Sequence, residues 1–338
     1  MTEAYLLKWF LLHAKQEFLH EFFRRQNLLL NVPFALLDDG QADLVFAAMQ
    51  AIGPDHREAS EACFQDIYQM ANRAGFDAII AASRSNQLKL ADEDLVQRLG
   101  RMAGYLDRAF WTFLHRPQYW DFACLLAGAD AISSAAWEKH PRVPRVTPRI
   151  EHGALEKFAG ALGHYFHIME GRGHRCDVKV GDRGDLLYIF CLLEQPSRAD
   201  PEWRPEGLRR RTHKPAQPLT FMYCQATGEL DTYLRAKQRV VWDVTAIFAQ
   251  HVLGVKKLEP PPRGRGVYRP IASSNVARRT VTGQRVASQR LLCAGFASPP
   301  SLGRSATSYW KRTPSAGTSL STTPWKLICH LCRSKTST

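Results

Sequence analysis

The sequence predicts an α+β protein with an all-helical N-terminal domain, a small antiparallel-sheet domain with flanking helices, and a mostly disordered basic tail. Three observations support this prediction. Apolar residues recur at steps of three and four through residues 1–140, as they do along one face of a helix. Two pairs of short apolar runs, each joined by a turn that contains glycine, occur within residues 150–258. The last 78 residues, 261–338, contain no Asp and no Glu.

The N-terminal helices are predicted from apolar stripes and from the residues that end them. The first stripe consists of Leu7, Leu11, Ala14, Phe18 and Phe22. A second helix, from about Ala42 to Ile52, ends at the pair Gly53-Pro54, which favours the start of a third. The longest helix, from about Asp92 to His115, has three acidic residues in its first turn and ends before Pro117. A further helix covers the aromatic stretch 119–126.

A proline-rich segment, residues 141–149, is predicted to link the two domains. Pro141, Pro144 and Pro148 alternate there with three arginines. Because proline lacks a backbone N–H and disfavours helix at the residue before it, this spacing predicts an extended, semi-rigid backbone. The domain boundary is therefore placed here, and the residues before and after it, 1–140 and 150–258, are expected to be separate domains.

The second domain is predicted to form, in order, a helix, a hairpin, a loop, a second hairpin and a helix. The first of these helices runs from about Gly153 to Glu170 and ends at Gly171, and the last runs from about Arg239 to Leu253. The run 186–193 is apolar throughout, which indicates a well-buried strand. The predicted strands are 176–180, 186–193, 219–224 and 230–234.

The tail, residues 259–338, differs from the rest of the chain in charge. Residues 261–338 hold thirteen Lys or Arg, which equals the net charge of +13, and the first 260 residues carry 32 basic and 32 acidic side chains. Apolar residues are scattered there without period, and such a segment cannot bury enough surface to offset chain entropy. Three interpretations stay open: a basic tail that binds nucleic acid, residues translated out of frame, and a folded element without a readable pattern.

Composition favours a cytoplasmic protein that does not enter a membrane. The eight cysteines stand far apart, which indicates a reducing compartment rather than a disulfide framework. The first residues contain no basic segment before an apolar one, so a signal peptide is not expected. The longest apolar run, 186–193, is too short to span about 30 Å of hydrocarbon as a helix.

Zinc is the one cofactor that the sequence suggests. His164 and His167 stand three apart on a predicted helix, and His174 and Cys176 follow just beyond its end. Imidazole and thiolate are ligand types that zinc prefers, although the spacing matches no standard zinc motif. The helix face that holds His164 and His167 also holds polar residues, so surface histidines without a metal are the alternative interpretation.

The densest basic run outside the tail is predicted to bind nucleic acid. It consists of Arg209, Arg210, Arg211 and Lys214, in the predicted loop between the two hairpins. The planar fork of N–H groups on arginine matches the geometry of phosphate oxygens. A loop that carries these charges only for its own solvation is the alternative.

The function predicted from these observations is non-enzymatic. The chain contains no Gly-x-x-x-x-Gly-Lys-Ser/Thr loop, no Gly-x-Ser-x-Gly turn and no His-Glu-x-x-His pair, and no catalytic residue is assigned. The preferred hypothesis is an intracellular binding or accessory protein that contacts nucleic acid through residues 209–214. The alternatives are a metal-dependent enzyme that uses the His/Cys cluster, and a helical adaptor that binds a protein partner.

Overall fold

The computed structural model describes residues 5–34, 37, 42–85, 93–140, 142–204 and 207–258, which all belong to one compact unit. The predicted tail, residues 259–338, lies outside the described residues, as do Asp92 and Pro141. The α-helices among the described residues are Leu7–His13 (α1), Gln16–Arg25 (α2), Ala42–Ala51 (α3), Pro54–Met70 (α4), Arg73–Ser83 (α5), Glu93–Gly100 (α6), Tyr105–His115 (α7), Pro117–Asp130 (α8), His152–Glu170 (α9) and Gln238–His251 (α10). None of these described helices combines the length and the apolar character needed to cross a bilayer.

Two of the predicted N-terminal helices are each divided in two. The first stripe runs through α1 and α2, which Ala14 and Lys15 separate. The long helix predicted up to His115 is interrupted after Gly100, so that α6 and α7 replace it. Glycine costs about 1 kcal/mol in a helix interior relative to alanine, and Gly104 adopts an extended conformation at the start of α7. The apolar spacing continues across each break because both halves pack against the same core.

Helix α5 is not predicted by the sequence pattern, and its start depends on two polar or small residues. The Asn72 side chain accepts a hydrogen bond from the backbone N–H of Gly75 at 3.0 Å, which caps the helix. A Cβ at Gly75 would lie 2.1 Å from the carbonyl oxygen of Met70. The corner between α4 and α5 therefore requires glycine at this position.

The strands confirm the α+β class with an antiparallel sheet. They are Glu138–His140 (β1), Cys176–Arg183 (β2), Leu186–Glu194 (β3), Arg198–Arg204 (β4), Gly207–His213 (β5), Ala216–Cys224 (β6) and Glu229–Tyr233 (β7). Five of them form one sheet in the order β1-β7-β6-β3-β2, with every described pair antiparallel. Strands β4 and β5 pair with each other in a separate two-stranded sheet.

The larger sheet separates two hydrophobic clusters. Tyr188 and Phe190 of β3 belong to the cluster formed by helices α1 to α8. Ile189 and Cys191 of the same strand belong to the cluster that contains α9 and α10. Alternate residues of a strand point to opposite faces of a sheet, so β3 is buried on both sides. This arrangement accounts for its uninterrupted apolar sequence.

The proline-rich segment is held against the sheet by buried hydrogen bonds, and we call residues 142–149 the strap. Val143 is buried within the cluster that contains α9 and α10. The Tyr223 hydroxyl accepts a hydrogen bond from the backbone N–H of Val146 at 3.1 Å and lies 2.9 Å from the carbonyl oxygen of Pro144. The strap is therefore packed as a part of the sheet region.

Strand β1 lies before the strap in the chain and nevertheless belongs to the larger sheet. Its Lys139 is directly opposite Asp231 on β7, and the Lys139 Nζ lies 2.8 Å from the Asp231 Oδ2. The residues on the two sides of the predicted boundary thus contact each other through the sheet. Independent folding of residues 1–140 and of residues 150–258 stays a prediction, which expression of each fragment alone would test.

The segment predicted as a loop between two hairpins is itself a hairpin, made of β4 and β5. The loop prediction is wrong because these strands are charged and lack the apolar alternation that marks a half-buried strand. Backbone pairing over seven opposed residue pairs and ion pairs between side chains hold it instead. Both faces of a two-stranded ribbon meet solvent, so polar residues are tolerated on either side.

Candidate functional site

The best candidate site is the hairpin of Arg198–Arg204 and Gly207–His213, which we call the arginine hairpin. Its register places Asp200 opposite Arg211 and Glu202 opposite Arg209. Because residues directly opposite in an antiparallel pair share a face, the hairpin has two distinct sides. One side carries Arg198, Asp200, Glu202, Arg204, Arg209, Arg211 and His213. The other side carries Ala199, Pro201, Trp203, Leu208, Arg210 and Thr212.

The predicted phosphate-binding residues are exposed but are not equally free. Arg209 has no ion pair or side-chain hydrogen bond with any described residue in the structure. Arg210 donates to the carbonyl oxygen of Ala199 at 3.0 Å, on the opposite side of the ribbon from its two neighbours. The run 209–211 is therefore divided between the two faces, rather than gathered in one patch as a loop would allow.

The other two predicted residues, Arg211 and Lys214, each form an ion pair with a carboxylate. The Arg211 Nη1 lies 3.4 Å from the Glu202 Oε1, and the Lys214 Nζ lies 2.7 Å from the Glu194 Oε1. The hydrogen bond from Lys214 lowers the pKa of the Glu194 carboxyl, which stays ionised near neutral pH. The Arg211 and Lys214 side chains are 62% and 57% exposed, although their carboxylate partners are only 24% and 13% exposed, so both basic groups can reach an anionic ligand.

The centre of the charged side also contains two acidic residues. Asp200 lies 3.1 Å from Arg198 and 3.5 Å from His213, and Glu202 accepts from Arg204 at 3.2 Å. Residues 198–214 contain six Arg or Lys against three acidic residues, so the hairpin keeps a positive excess. The arginine hairpin can therefore attract a polyanion, although its charged side is not uniformly positive.

Trp203 and Leu208 form an exposed apolar pair on the less charged side. They are directly opposite each other in the register, and 76% of Trp203 and 58% of Leu208 is exposed. Neither residue belongs to the two hydrophobic clusters of the structure. The sequence pattern does not indicate this pair, because only the register between β4 and β5 places the two residues opposite each other.

The four predicted zinc ligands come together in one shallow groove. His164, His167, His174 and Cys176 line a cavity of about 260 Å³ beside α9, and we call it the imidazole groove. The rings of His167 and His174 are 4.2 Å apart between centroids. No group of three His, Cys, Asp or Glu among the described residues has the geometry to hold a metal ion. The zinc site stays a prediction.

The thiol of Cys176 has a neighbour that the sequence did not indicate. Burial raises the pKa of the Cys191 thiol, and the hydrogen bond and charge of Cys176 raise it further. The two cysteines are diagonal neighbours on β2 and β3, on the face covered by α9. In the described arrangement the Cys176 side chain is therefore in contact with Cys191, a residue outside the predicted zinc site.

A second cavity, of about 340 Å³, lies between α2 and α7. It is lined by Lys15, Glu17, Phe18, Glu21, Met102, Trp111 and His115. The Nε2 of His115 faces Glu21 at 3.3 Å, and its Nδ1 lies 3.5 Å from Arg25, which has only donors. Burial lowers the pKa of His115, which Arg25 lowers further against the opposite effect of Glu21. Both ring nitrogens are therefore engaged, which leaves this histidine without a free lone pair for proton abstraction.

No sequence pattern indicates this cavity, because its lining residues come from two segments, 15–21 and 102–115, that are about ninety positions apart in the chain. The guanidinium groups of Arg98 and Arg116 lie 5.3 and 5.4 Å from the centroid of the Trp111 ring, which lines the cavity. Such cation–π contacts contribute to the packing of the helices around Trp111.

The chain matches no family model, no curated protein and no solved structure.

Proposed function

We propose that this protein is a non-enzymatic binding or accessory protein that contacts nucleic acid through the arginine hairpin. The observation that carries the proposal is the exposure of Arg209, Arg210 and Arg211 on a two-stranded ribbon that is separate from the larger sheet. A guanidinium group offers five N–H donors in a planar fork, which suits phosphate oxygens. A two-stranded ribbon is narrow enough to present such groups to a nucleic-acid backbone or groove.

The local ion pairs support a binding mode in which phosphates replace carboxylates. Arg209 needs no prior rearrangement, because no described residue holds it. Arg211 and Lys214, whose side chains are more exposed than those of their carboxylate partners, exchange Glu202 and Glu194 for phosphate. Affinity of this origin is electrostatic, so it falls steeply as the salt concentration rises.

The test compares two variants of the full chain that carry the same net charge. One replaces the hairpin residues Arg209, Arg210, Arg211 and Lys214 with Ala, and the control replaces the exposed residues Arg24, Arg101, Lys157 and Lys257 with Ala. Each change lowers the formal charge from +13 by the same amount, so the charges of residues 261–338 act equally in both. Fluorescence anisotropy with a labelled oligonucleotide then measures both affinities at 50 mM salt.

The proposal expects the hairpin variant to bind more weakly than the control by tenfold or more. The slope of log affinity against log salt is expected to decrease in magnitude by about 0.7–0.9 for each phosphate contact removed. Equal affinities and equal slopes for the two variants would overturn the proposal. In that case the helical adaptor would be the better hypothesis, and a protein partner would be sought.

A further inference from the structure

We infer that the arginine hairpin binds single-stranded nucleic acid, with the indole of Trp203 as a stacking surface for an unpaired base. The inference rests on the proposed function and names the ligand class of the same site. It is carried by a second observation, independent of the arginines: the exposed pair of Trp203 and Leu208 on the side of the ribbon where Arg210 lies.

The exposure of Trp203 is unusual within this chain. It is the one tryptophan in the described part of the chain that is exposed, and Trp111 and Trp120, by contrast, are only 7% and 6% exposed. Leu208 is directly across the ribbon, where the Cβ atoms of opposed residues lie about 4.5–5.5 Å apart and their side chains can interact. Most of the Trp203 surface nevertheless remains in water, since the residue is 76% exposed. Such an exposed aromatic ring suits the stacking of a base, which buries apolar surface on both partners.

The positions of the arginines fit a strand that passes over this ring. Arg210 is two residues along β5 from Leu208 and on the same side, so its guanidinium lies beside the apolar pair. Its single described hydrogen bond, to the carbonyl of Ala199, leaves other N–H donors for a phosphate. Base stacking on Trp203 and a phosphate contact from Arg210 can thus occur on neighbouring parts of one strand.

A duplex fits the hairpin less well for two reasons. Its bases are already stacked on each other, so a base must leave the stack at a cost of a few kcal/mol before it can reach Trp203. The other side of the ribbon, which would enter a groove, carries Asp200 and Glu202 at its centre, and their carboxylates repel phosphates. A single strand avoids the first cost and reduces the second, because its stacked base lies on the side that lacks acidic residues and only its phosphates approach Arg209 and Arg211.

The test uses the full chain and three labelled probes: a 15-nucleotide oligothymidine, a 15-nucleotide oligouridine and a 15-base-pair duplex. The variants are Trp203→Ala, Trp203→Phe and, as a control, Ile168→Ala, which removes another apolar side chain that is 65% exposed. Trp203→Ala is expected to weaken binding of both single strands by about 5- to 150-fold, the loss of one base–aromatic stack. Trp203→Phe is expected to keep most of the affinity, and Ile168→Ala all of it.

The outcomes separate this inference from the proposed function. Duplex binding as tight as single-strand binding, or single-strand binding unaffected by Trp203→Ala, would overturn the inference; if the arginine variant still lost affinity, the proposed function would stand. Loss of self-association on sedimentation in Trp203→Ala, with unchanged nucleic-acid binding, would instead identify a second copy of this chain as the partner of Trp203. If neither Trp203→Ala nor the variant with Ala at Arg209, Arg210, Arg211 and Lys214 changed binding to any probe, both the inference and the proposed function would be wrong.

Discussion

Gly181 on β2 lies directly against the ring of Phe122 on α8, where a Cβ would be 1.9 Å from the ring Cζ. The same ring meets Phe190 of β3 edge-on, with 5.8 Å between centroids. This contact joins the N-terminal helices to the sheet, and it is possible only because the sheet has no side chain at that point. The ring of Phe122 therefore reaches the backbone of β2.

The first prediction concerns this contact. Gly181→Ala is expected to lower the free energy of unfolding by about 1–3 kcal/mol, because the methyl group overpacks a filled core. Gly160→Ala is the matched control: nothing lies within 4 Å of a Cβ there, and the position is inside helix α9. That change is expected to stabilise the protein by about 0.5–1 kcal/mol. Chemical denaturation measures the free energy of unfolding of both variants. If Gly181→Ala had the same free energy of unfolding as the wild type, the ring of Phe122 would not be packed against Gly181 as described.

The second prediction concerns the strap. The hydroxyl of Tyr223, which is buried, is its link to the backbone of Val146 and Pro144. Tyr223→Phe leaves the Val146 N–H without this acceptor and is expected to cost about 1–3 kcal/mol of stability. Limited proteolysis is expected to cut the strap of the variant faster than that of the wild type. Equal cleavage rates would mean that the strap is held by other contacts.

The third prediction is a pH dependence that originates at His140. This residue is 5% exposed, its Nε2 has no hydrogen-bond partner among the described residues, and burial lowers its pKa from the usual value of 6.5. Since the unfolded chain then binds the proton more readily, stability is full above about pH 6.5 and is lost as the pH falls toward the folded pKa.

The measurement compares the free energy of unfolding at pH 7.5 and 5.5 in the wild type and in His140→Gln. The loss on acidification is expected to be smaller in the variant, by up to about 1.4 kcal/mol, because pH 5.5 lies one unit below the usual pKa of histidine. Burial raises the pKa of the nearby Asp231, and this effect has the opposite sign, but it is common to both proteins and cancels in the comparison. A variant with the same pH dependence as the wild type would show that His140 does not carry the effect.

The fourth prediction concerns Glu202, an acidic residue within the arginine hairpin. Glu202 accepts from both Arg204 and Arg211, so Glu202→Gln releases two guanidinium groups and removes a negative charge. Affinity for a single-stranded oligonucleotide is expected to rise about two- to fivefold at low salt, the scale of an exposed ion pair. The control is Glu58→Gln, an equal change of charge at an exposed position of α4. A rise of the same size in both variants would mean that only net charge matters.

Local pattern predicted those elements whose residues are buried against a core. The apolar run 186–193 predicts its strand because both faces of the strand are buried, and Gly171 predicts the end of α9 because it adopts the left-handed conformation that glycine permits. The pattern does not predict the break in the long helix before Tyr105, since the apolar stripe continues on both sides of the break. A stripe records which face is buried and does not record whether the backbone between two turns stays helical.

The candidate site was located by charge, but its geometry was not predicted. Arg209 to Arg211 form a conspicuous basic run, yet a polar strand has no apolar alternation, so the pattern predicts a loop at this run. Trp203 became visible only when the register placed it opposite Leu208 and away from both hydrophobic clusters. Exposure of a large side chain depends on tertiary packing, which no local pattern encodes.

The most direct test of the central claim is to find which residues touch the nucleic acid. The full chain would be cross-linked by ultraviolet light to an oligouridine, digested with a protease that does not cut at arginine, and mapped by mass spectrometry. We predict a cross-linked peptide within residues 198–214 that disappears when Arg209, Arg210, Arg211 and Lys214 are replaced with Ala. Cross-links found only within residues 259–338, with none in the arginine hairpin, would contradict the account.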